Sequence, residues 1–164
     1  MKIIVAVDKN WGIGCENDLL FSLPLDMQHF KNTTLNKTVV MGRKTLESLP
    51  NGKPLKNREN IVLSKEGAND GDGFVLARSL EELLQIIKNK DGVFIIGGAS
   101  VYELLLPYCD EAIITRVDSE AKADCFFPNL DEHKDWSLDS ESEPVKDGEY
   151  TIKFCKYIKK AKCI

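Results

Sequence analysis

The apolar positions of the chain fall into short, dense runs separated by polar turns. Lys2 to Val7 is β-branched and unbroken, which predicts a strand covered on both faces. Thr38 to Met41, Asn60 to Ser64, Val93 to Ile96 and Glu111 to Val117 repeat the pattern, and Phe74 to Leu76 is a shorter version of it. Between these runs the period changes. Leu80, Leu83, Leu84 and Ile87 lie at i, i+3, i+4 and i+7 behind a capping box running from Ser79 to Glu82. Pro24 suits the first position of another helix, with Asp26 in its first turn and Met27, Phe30 and Lys31 on one side. Short helices are expected after Gly42-Arg43-Lys44-Thr45 and after Gly97-Gly98, the second stopped by Pro107.

Two stretches carry no period. Residues 9–23 hold Asn10, Gly12, Gly14 and Asn17 and read as a long structureless connection, which inside a compact domain is either functional or disordered. Residues 118–131 read as a second such loop, and SKEGANDGDG is turn chemistry. Trp136 to Glu141, a turn at Lys146-Asp147-Gly148 and the strand Tyr150 to Tyr157 close the chain. Strands alternating with helices, then a hairpin, predict an α/β fold. Residues 1–164 are expected to form a single domain with a mostly parallel twisted central sheet, flanking helices and a C-terminal antiparallel hairpin strand at one edge.

Composition narrows the classes. At 164 residues, the chain can bury about 70% of its unfolded surface and fold as one domain without staples. Lys and Arg number 22 against 26 acidic residues, so nothing in bulk draws it to nucleic acid or anionic membrane. Any anion it binds needs a local basic cluster. Cysteines at 15, 109, 125, 155 and 163 are odd in number, lack metal-ligand spacing and read as free thiols in a reducing compartment. The first apolar run is too short for a signal-peptide core or a membrane span, so a cytoplasmic protein is expected. The ending KYIKKAKCI reads as a solvated strand end and tail.

Candidate chemistry gathers at two strand-to-helix junctions. Val40-Met41-Gly42-Arg43-Lys44-Thr45 offers backbone N–H groups, a hydroxyl and two cations to an anion, or is a solvated basic turn. Ile95-Ile96-Gly97-Gly98-Ala99-Ser100 lets a ligand approach the backbone closely, or lets a strand pack tightly on a helix. Both fall at carboxyl ends of parallel strands, and two such sites suggest a dinucleotide. Asp26 is a carboxylate answering a helix dipole or, if buried, an acid facing a ligand. His29 and His133 have no partner spacing for a metal or a relay, and no Ser sits in a GxSxG elbow. No metal site is expected.

Laid end to end, VAVDKNWGIGCENDL, SLPLDMQHFKNTTLNKTVVMGRKTLESLP, NIVLS, VFIIGGASVYELLLP, ITRVD and DCFFP resemble the bacterial dihydrofolate reductase family, in order and spacing, from Lys2 to about Lys159. The resemblance implies NADPH-dependent reduction of 7,8-dihydrofolate to tetrahydrofolate for one-carbon metabolism. It implies that Asp26 bonds the 2-amino and N3 edge of the pterin, with Thr115 supporting the amino group. Ile4, Val5, Ala6, Met27, Phe30, Leu49, Leu55 and Ile96 then line the pterin and its aryl linker, and Arg58 grips the α-carboxylate of the glutamate tail. For the cofactor it implies Arg43, Ser64 and Lys65 at the 2′-phosphate. Gly42, Lys44, Thr45, Gly97, Gly98, Ala99, Ser100 and Val101 fall near the pyrophosphate. Ala6, Ile13, Gly14, Leu63, Arg78, Ile96 and Tyr102 complete the cofactor surface.

Residues 9–23 correspond to the family's mobile active-site loop, and Asp124 to an acid that steadies its closed form. Leu19 and Phe21 take catalytic-loop positions, but Leu20-Phe21 stands where the family often has Pro-Trp, so an indole N–H is lost. Leu19 stands where many members have methionine, and Ser100 where some have arginine, a charge that Lys65 could supply. The implied mechanism leaves orientation to the protein and hydride to the cofactor, with Asp26 raising the proton affinity of N5 and water delivering the proton. Dihydrofolate and NADPH are the expected partners and a monomer the expected state. A pyrimidine reductase of riboflavin synthesis gives no reason for Asp26 and Arg58 together. A catalytically silent nucleotide-binding module gives none for the intact loop.

Overall fold

In a computed structural model, residues 1–15, 18–19, 21–66 and 73–160 are described, with residues 15, 18 and 19 described by their backbone alone. Every apolar run forms a strand, with ends displaced by two residues at most. In chain order they are β1 (Lys2–Val7), β2 (Gly12–Cys15), β3 (Asp18–Leu19), α1 (Pro24–Thr34), β4 (Thr38–Gly42), α2 (Arg43–Ser48), β5 (Glu59–Leu63) and β6 (Phe74–Ala77). Then follow α3 (Leu80–Ile87), β7 (Val93–Gly97), α4 (Ala99–Leu105), β8 (Glu111–Val117), β9 (Cys125–Phe126), β10 (Trp136–Glu141), β11 (Val145–Asp147) and β12 (Tyr150–Lys159).

The main sheet runs β10-β12-β8-β1-β7-β4-β5-β6, with β11 paired beside β12. From β8 to β6 all neighbours are parallel. The antiparallel strands form one edge, as expected, with β10 and β11 both paired to the outer side of β12. Val145–Asp147 is strand and not turn; the reversal comes one step later, where Gly148 takes φ +65. Alternate residues feed opposite faces. Val40, Ile61 and Ile95 join Leu83 and Ile87 of α3 and Leu105 of α4. Val39, Met41 and Val62 join Leu46 of α2.

One further expectation needs correction. Residues 9–23 are not structureless: β2 pairs with β3 and with β9, so the two long loops meet in a small three-stranded sheet. Strands of two to four residues containing Gly12 and Gly14 have no periodicity to read. Pro107 falls directly after the Leu106 C-cap of α4, which ends at Leu105 as a proline stop requires, and it sits in a 3-10 turn at Leu106–Tyr108, where its missing N–H costs nothing. Met27 of α1 is 66% exposed, on the open side of the helix. The expected capping box is present: Ser79 Oγ accepts from Glu82 N at 3.1 Å, and Glu82 Oε2 reaches back to Arg78 N at 3.0 Å.

Candidate active site

Asp26 lies in the first turn of α1 and points at β8, where Thr115 Oγ donates to its Oδ1 at 2.6 Å. Thr115 is buried and stands in register beside Ala6 of β1. Burial pushes the Asp26 carboxyl above its ordinary range, and Asp147 adds to the push. The Thr115 hydrogen bond and the nearby His29 pull the other way. The result is a half-buried carboxylate with, among the described residues, one side-chain donor on one oxygen, ready for further N–H donors. Its field reaches Tyr102, a buried phenol on α4 whose hydroxyl donates to Ile4 O at 3.0 Å and which burial pushes far up.

The two glycine junctions face one another because β4 and β7 are neighbours. Gly97 takes φ +137, which disfavours a side chain. A Cβ there would lie 3.2 Å from Thr45 Oγ1, and one on Gly42 would lie 3.1 Å from Val101 Cγ2. The backbone is therefore bare along both turns. Beside them Arg43 Nε donates to Ser64 Oγ at 3.4 Å and its Nη2 to Glu66 O at 3.3 Å. Ser64 continues β5, its N–H bonded to Ala77 O at 2.9 Å. Lys44, Lys65, Arg78 and Ser100 are exposed around this cluster, while Ala99 and Leu63 are half-buried.

Between cluster and carboxylate lies apolar surface. Leu49, Leu55 and Ile96 pack on the group formed by Val39, Met41, Leu46, Val62 and Leu76. Ile4 is buried, Val5, Ala6 and Phe30 half-buried. Arg58 is fixed by Nε to Thr34 Oγ1 at 3.2 Å and Nη1 to Lys56 O at 3.0 Å. Among the described residues its Nη2 takes no protein partner.

Phe21 packs edge-on against Tyr150 at 4.9 Å, inside a cluster with Leu23, Val117 and Ile152. The structure gives this aromatic a packing role. The Leu19 side chain and Leu20 lie outside the described residues. Ile13 packs on the main core, and Gly14 O accepts from Asp124 N at 2.9 Å, so the loop and the distant acid do meet. His29 packs against Phe154 with ring centroids 4.3 Å apart and tilted by 39°, and His133 Nδ1 accepts from Asp135 N at 3.1 Å. Among the described residues no group of His, Cys, Asp or Glu could hold a metal.

Sequence reasoning missed three polar residues that frame the site. Asn60 is buried and bonds Leu55 N at 3.0 Å, Leu55 O at 2.9 Å and Arg58 O at 3.0 Å, which shapes the turn carrying Leu55 and Arg58. Thr34 is buried behind Arg58. Asp8 is fully buried and accepts from Asn10 N, Gly12 N and Ala121 N, tying one long loop to the other. A polar side chain inside an apolar run was the available signal for Asn60.

Residues 1–159 match the family described as dihydrofolate reductase. The chain belongs to the dihydrofolate reductase family. It is 38% identical over 162 residues to the dihydrofolate reductase of Bacillus subtilis (strain 168), covering 98% of this chain and 95% of that one. With a Staphylococcus aureus dihydrofolate reductase it shares 37% over 152 residues, covering 93% and 92%. A solved dihydrofolate reductase from Enterococcus faecalis, complexed with NADP(H) and RAB-propyl, superposes with a TM-score of 0.87 at 32% identity, over 98% of this chain and 96% of that one. The mixed central sheet and four helices described above are thus the family's fold.

Proposed function

We propose that this chain reduces 7,8-dihydrofolate to 5,6,7,8-tetrahydrofolate with NADPH. The observation that carries the reading is Asp26, a half-buried carboxylate paired with Thr115, at the same sheet end as the Arg43–Ser64 pair. Along that end the strands run β8-β1-β7-β4-β5. Four steps at the usual strand spacing make about 19 Å, long enough for a dinucleotide and a ring laid end to end. The fit to the cofactor is chemical as well as spatial. Arg43 and Ser64 would hold a 2′-phosphate, flanked by Lys65, and the bare backbone at Gly42, Gly97 and Gly98, with Thr45, would receive the pyrophosphate.

When bound, NADPH supplies hydride from its nicotinamide. The chain supplies the rest. Asp26 accepts from the 2-amino and N3 edge of the pterin, with Thr115 behind it, and its charge raises the proton affinity of N5. It stands at the opposite edge of the ring from N5, so the proton comes from water. Leu49, Leu55, Ile96 and Phe30 exclude water from the ring, and Arg58 holds the tail carboxylate through its remaining N–H groups. All these groups come from one chain, which supports a monomer. Among the described residues no helix is long and apolar enough to cross a membrane. We place the protein in the cytoplasm, where its free cysteines fit a reducing setting.

The test is loss of NADPH absorbance on adding dihydrofolate, for the parent and for Asp26→Asn. The parent turns over, and the variant keeps its NADPH affinity but loses about 100-fold or more in rate at neutral pH. The variant's rate climbs as pH falls, because acid supplies protonated substrate. NADPH binding without turnover by the parent would leave a silent nucleotide module, and near-parent activity in Asp26→Asn would remove Asp26 from the reaction.

A further inference from the structure

The first turn of α1 is capped from the far end of the chain. Pro24 has no N–H, and the N-cap residue Leu23 offers no side-chain acceptor. Two donors are left before the helical ladder begins with Met27 N to Leu23 O. Both go to one carboxylate: Asp147 Oδ1 accepts from Leu25 N at 3.0 Å and Oδ2 from Asp26 N at 3.1 Å. Asp147 is only 2% exposed, so this is a built contact and not a surface ion. Asp26 is consequently held twice, by its backbone through β11 and by its carboxylate through Thr115 of β8. One strand sets the distance between the two grips. Ile152 of β12 pairs with Val145 of β11 on one side and Val117 of β8 on the other.

We propose that Asp147 is a positioning residue for the reaction: its two-pronged bond to the start of α1 fixes where the Asp26 carboxylate meets the pterin. The proposal rests on the reading of Asp26 as the substrate-facing acid. Its charge also matters. Around Asp26 stand Asp147 from β11, His29 one turn along α1, Thr115 from β8 and Tyr102 from α4. Of these only Asp147 adds negative charge that opposes ionisation of Asp26. Lys146 and Glu149 flank it in the hairpin and are exposed to solvent. The same residue therefore places the acid and holds it nearer to neutrality.

Two variants of the full chain test this. Asp147→Asn keeps the shape and one acceptor but not the charge, and Asp147→Ala removes the grip. The Asp26 carboxyl, followed by carbon-13 NMR, titrates at lower pH in both. Turnover with dihydrofolate falls about tenfold or more in Asp147→Ala, less in Asp147→Asn, with NADPH affinity within about twofold of the parent. In an Asp26→Asn background, Asp147→Asn has no further effect on rate. A merely structural cap lowers Tm but leaves the Asp26 titration and the turnover of folded enzyme at parent values, and that result overturns the proposal. If Asp147→Ala does not fold, Asp147→Asn alone decides by the same two readouts. Parent-like activity in Asp26→Asn sinks the assignment of Asp26 itself; its loss together with unchanged Asp147 variants sinks only the positioning role.

Discussion

The Thr115 hydroxyl and the Asp26 carboxylate meet at 2.6 Å, although 89 residues separate them in the chain. The bond offsets part of the burial that pushes Asp26 toward its neutral form. Thr115→Val keeps the shape and removes the donor. The Asp26 carboxyl is therefore expected to titrate at higher pH in Thr115→Val, as read by carbon-13 NMR of the free enzyme. An unmoved titration means that the hydroxyl does not bond the carboxylate in solution.

Asp26 should also cost stability at neutral pH. Its folded-state acid is raised, chiefly by burial, so folding favours the protonated form. The penalty is absent below the unfolded value of about 3.9 and grows as pH rises through the folded value. Asp26→Asn carries no such penalty. It should melt higher than the parent at pH 7, by about 2–4 °C for each kcal/mol relieved in a chain of this size, and with no such advantage near pH 3. Equal melting temperatures at pH 7 would show that Asp26 is well solvated when ionised.

How much of this was legible in the sequence depended on the range of each interaction. The capping box at Ser79 and the strands of the parallel sheet are local patterns, and they formed where the pattern put them. Arg43 and Ser64 were named by resemblance, and adjacent strands bring them together. Asp8, Thr34, Asn60 and Asp147 were not named as residues of the site. Each is a buried polar residue: Asn60 bonds the turn just before it, Asp8 and Thr34 combine local partners with one distant one, and Asp147 serves a helix 121 residues earlier. The β2–β3–β9 sheet is equally invisible, since it joins two loops through strands too short to show a period. Phe21 was read as a catalytic-loop aromatic, and its contact with Tyr150 depends on a strand at the other end of the chain.

The cofactor preference should reside in the Arg43–Ser64 pair. Arg43 reaches Ser64 at 3.4 Å, a long bond that leaves the guanidinium able to turn toward a dianion. Arg43→Ala should raise KM for NADPH by about tenfold or more, the worth of one charge-assisted bond, and leave NADH nearly unaffected. Steady-state kinetics with both cofactors measure this. A variant that loses NADPH and NADH activity alike would show that Arg43 supports α2 and not the 2′-phosphate.

Arg58 offers the sharpest separation between binding and structure. Its Nε and Nη1 are spent on Thr34 Oγ1 and Lys56 O, which lock the guanidinium plane. Asn60 holds the same turn from beneath through Leu55 and Arg58 O. A locked plane with N–H groups remaining suits a carboxylate, because little rotamer entropy is lost on binding. Arg58→Leu should weaken dihydrofolate binding by about tenfold to a hundredfold, the range of a lost charge-assisted hydrogen bond, and leave NADPH affinity as it was. A reduced pterin without the glutamate tail carries no carboxylate for Arg58 to hold. Its kcat/KM should therefore be the same in Arg58→Leu and the parent. Were the Thr34 and Lys56 contacts what holds the turn under Leu55, with Asn60 not enough to hold it, the variant's damage would reach the aryl wall whatever the substrate's tail. Comparing the two substrates in one variant thus isolates the tail contact, and equal losses with both would make Arg58 a brace for the turn.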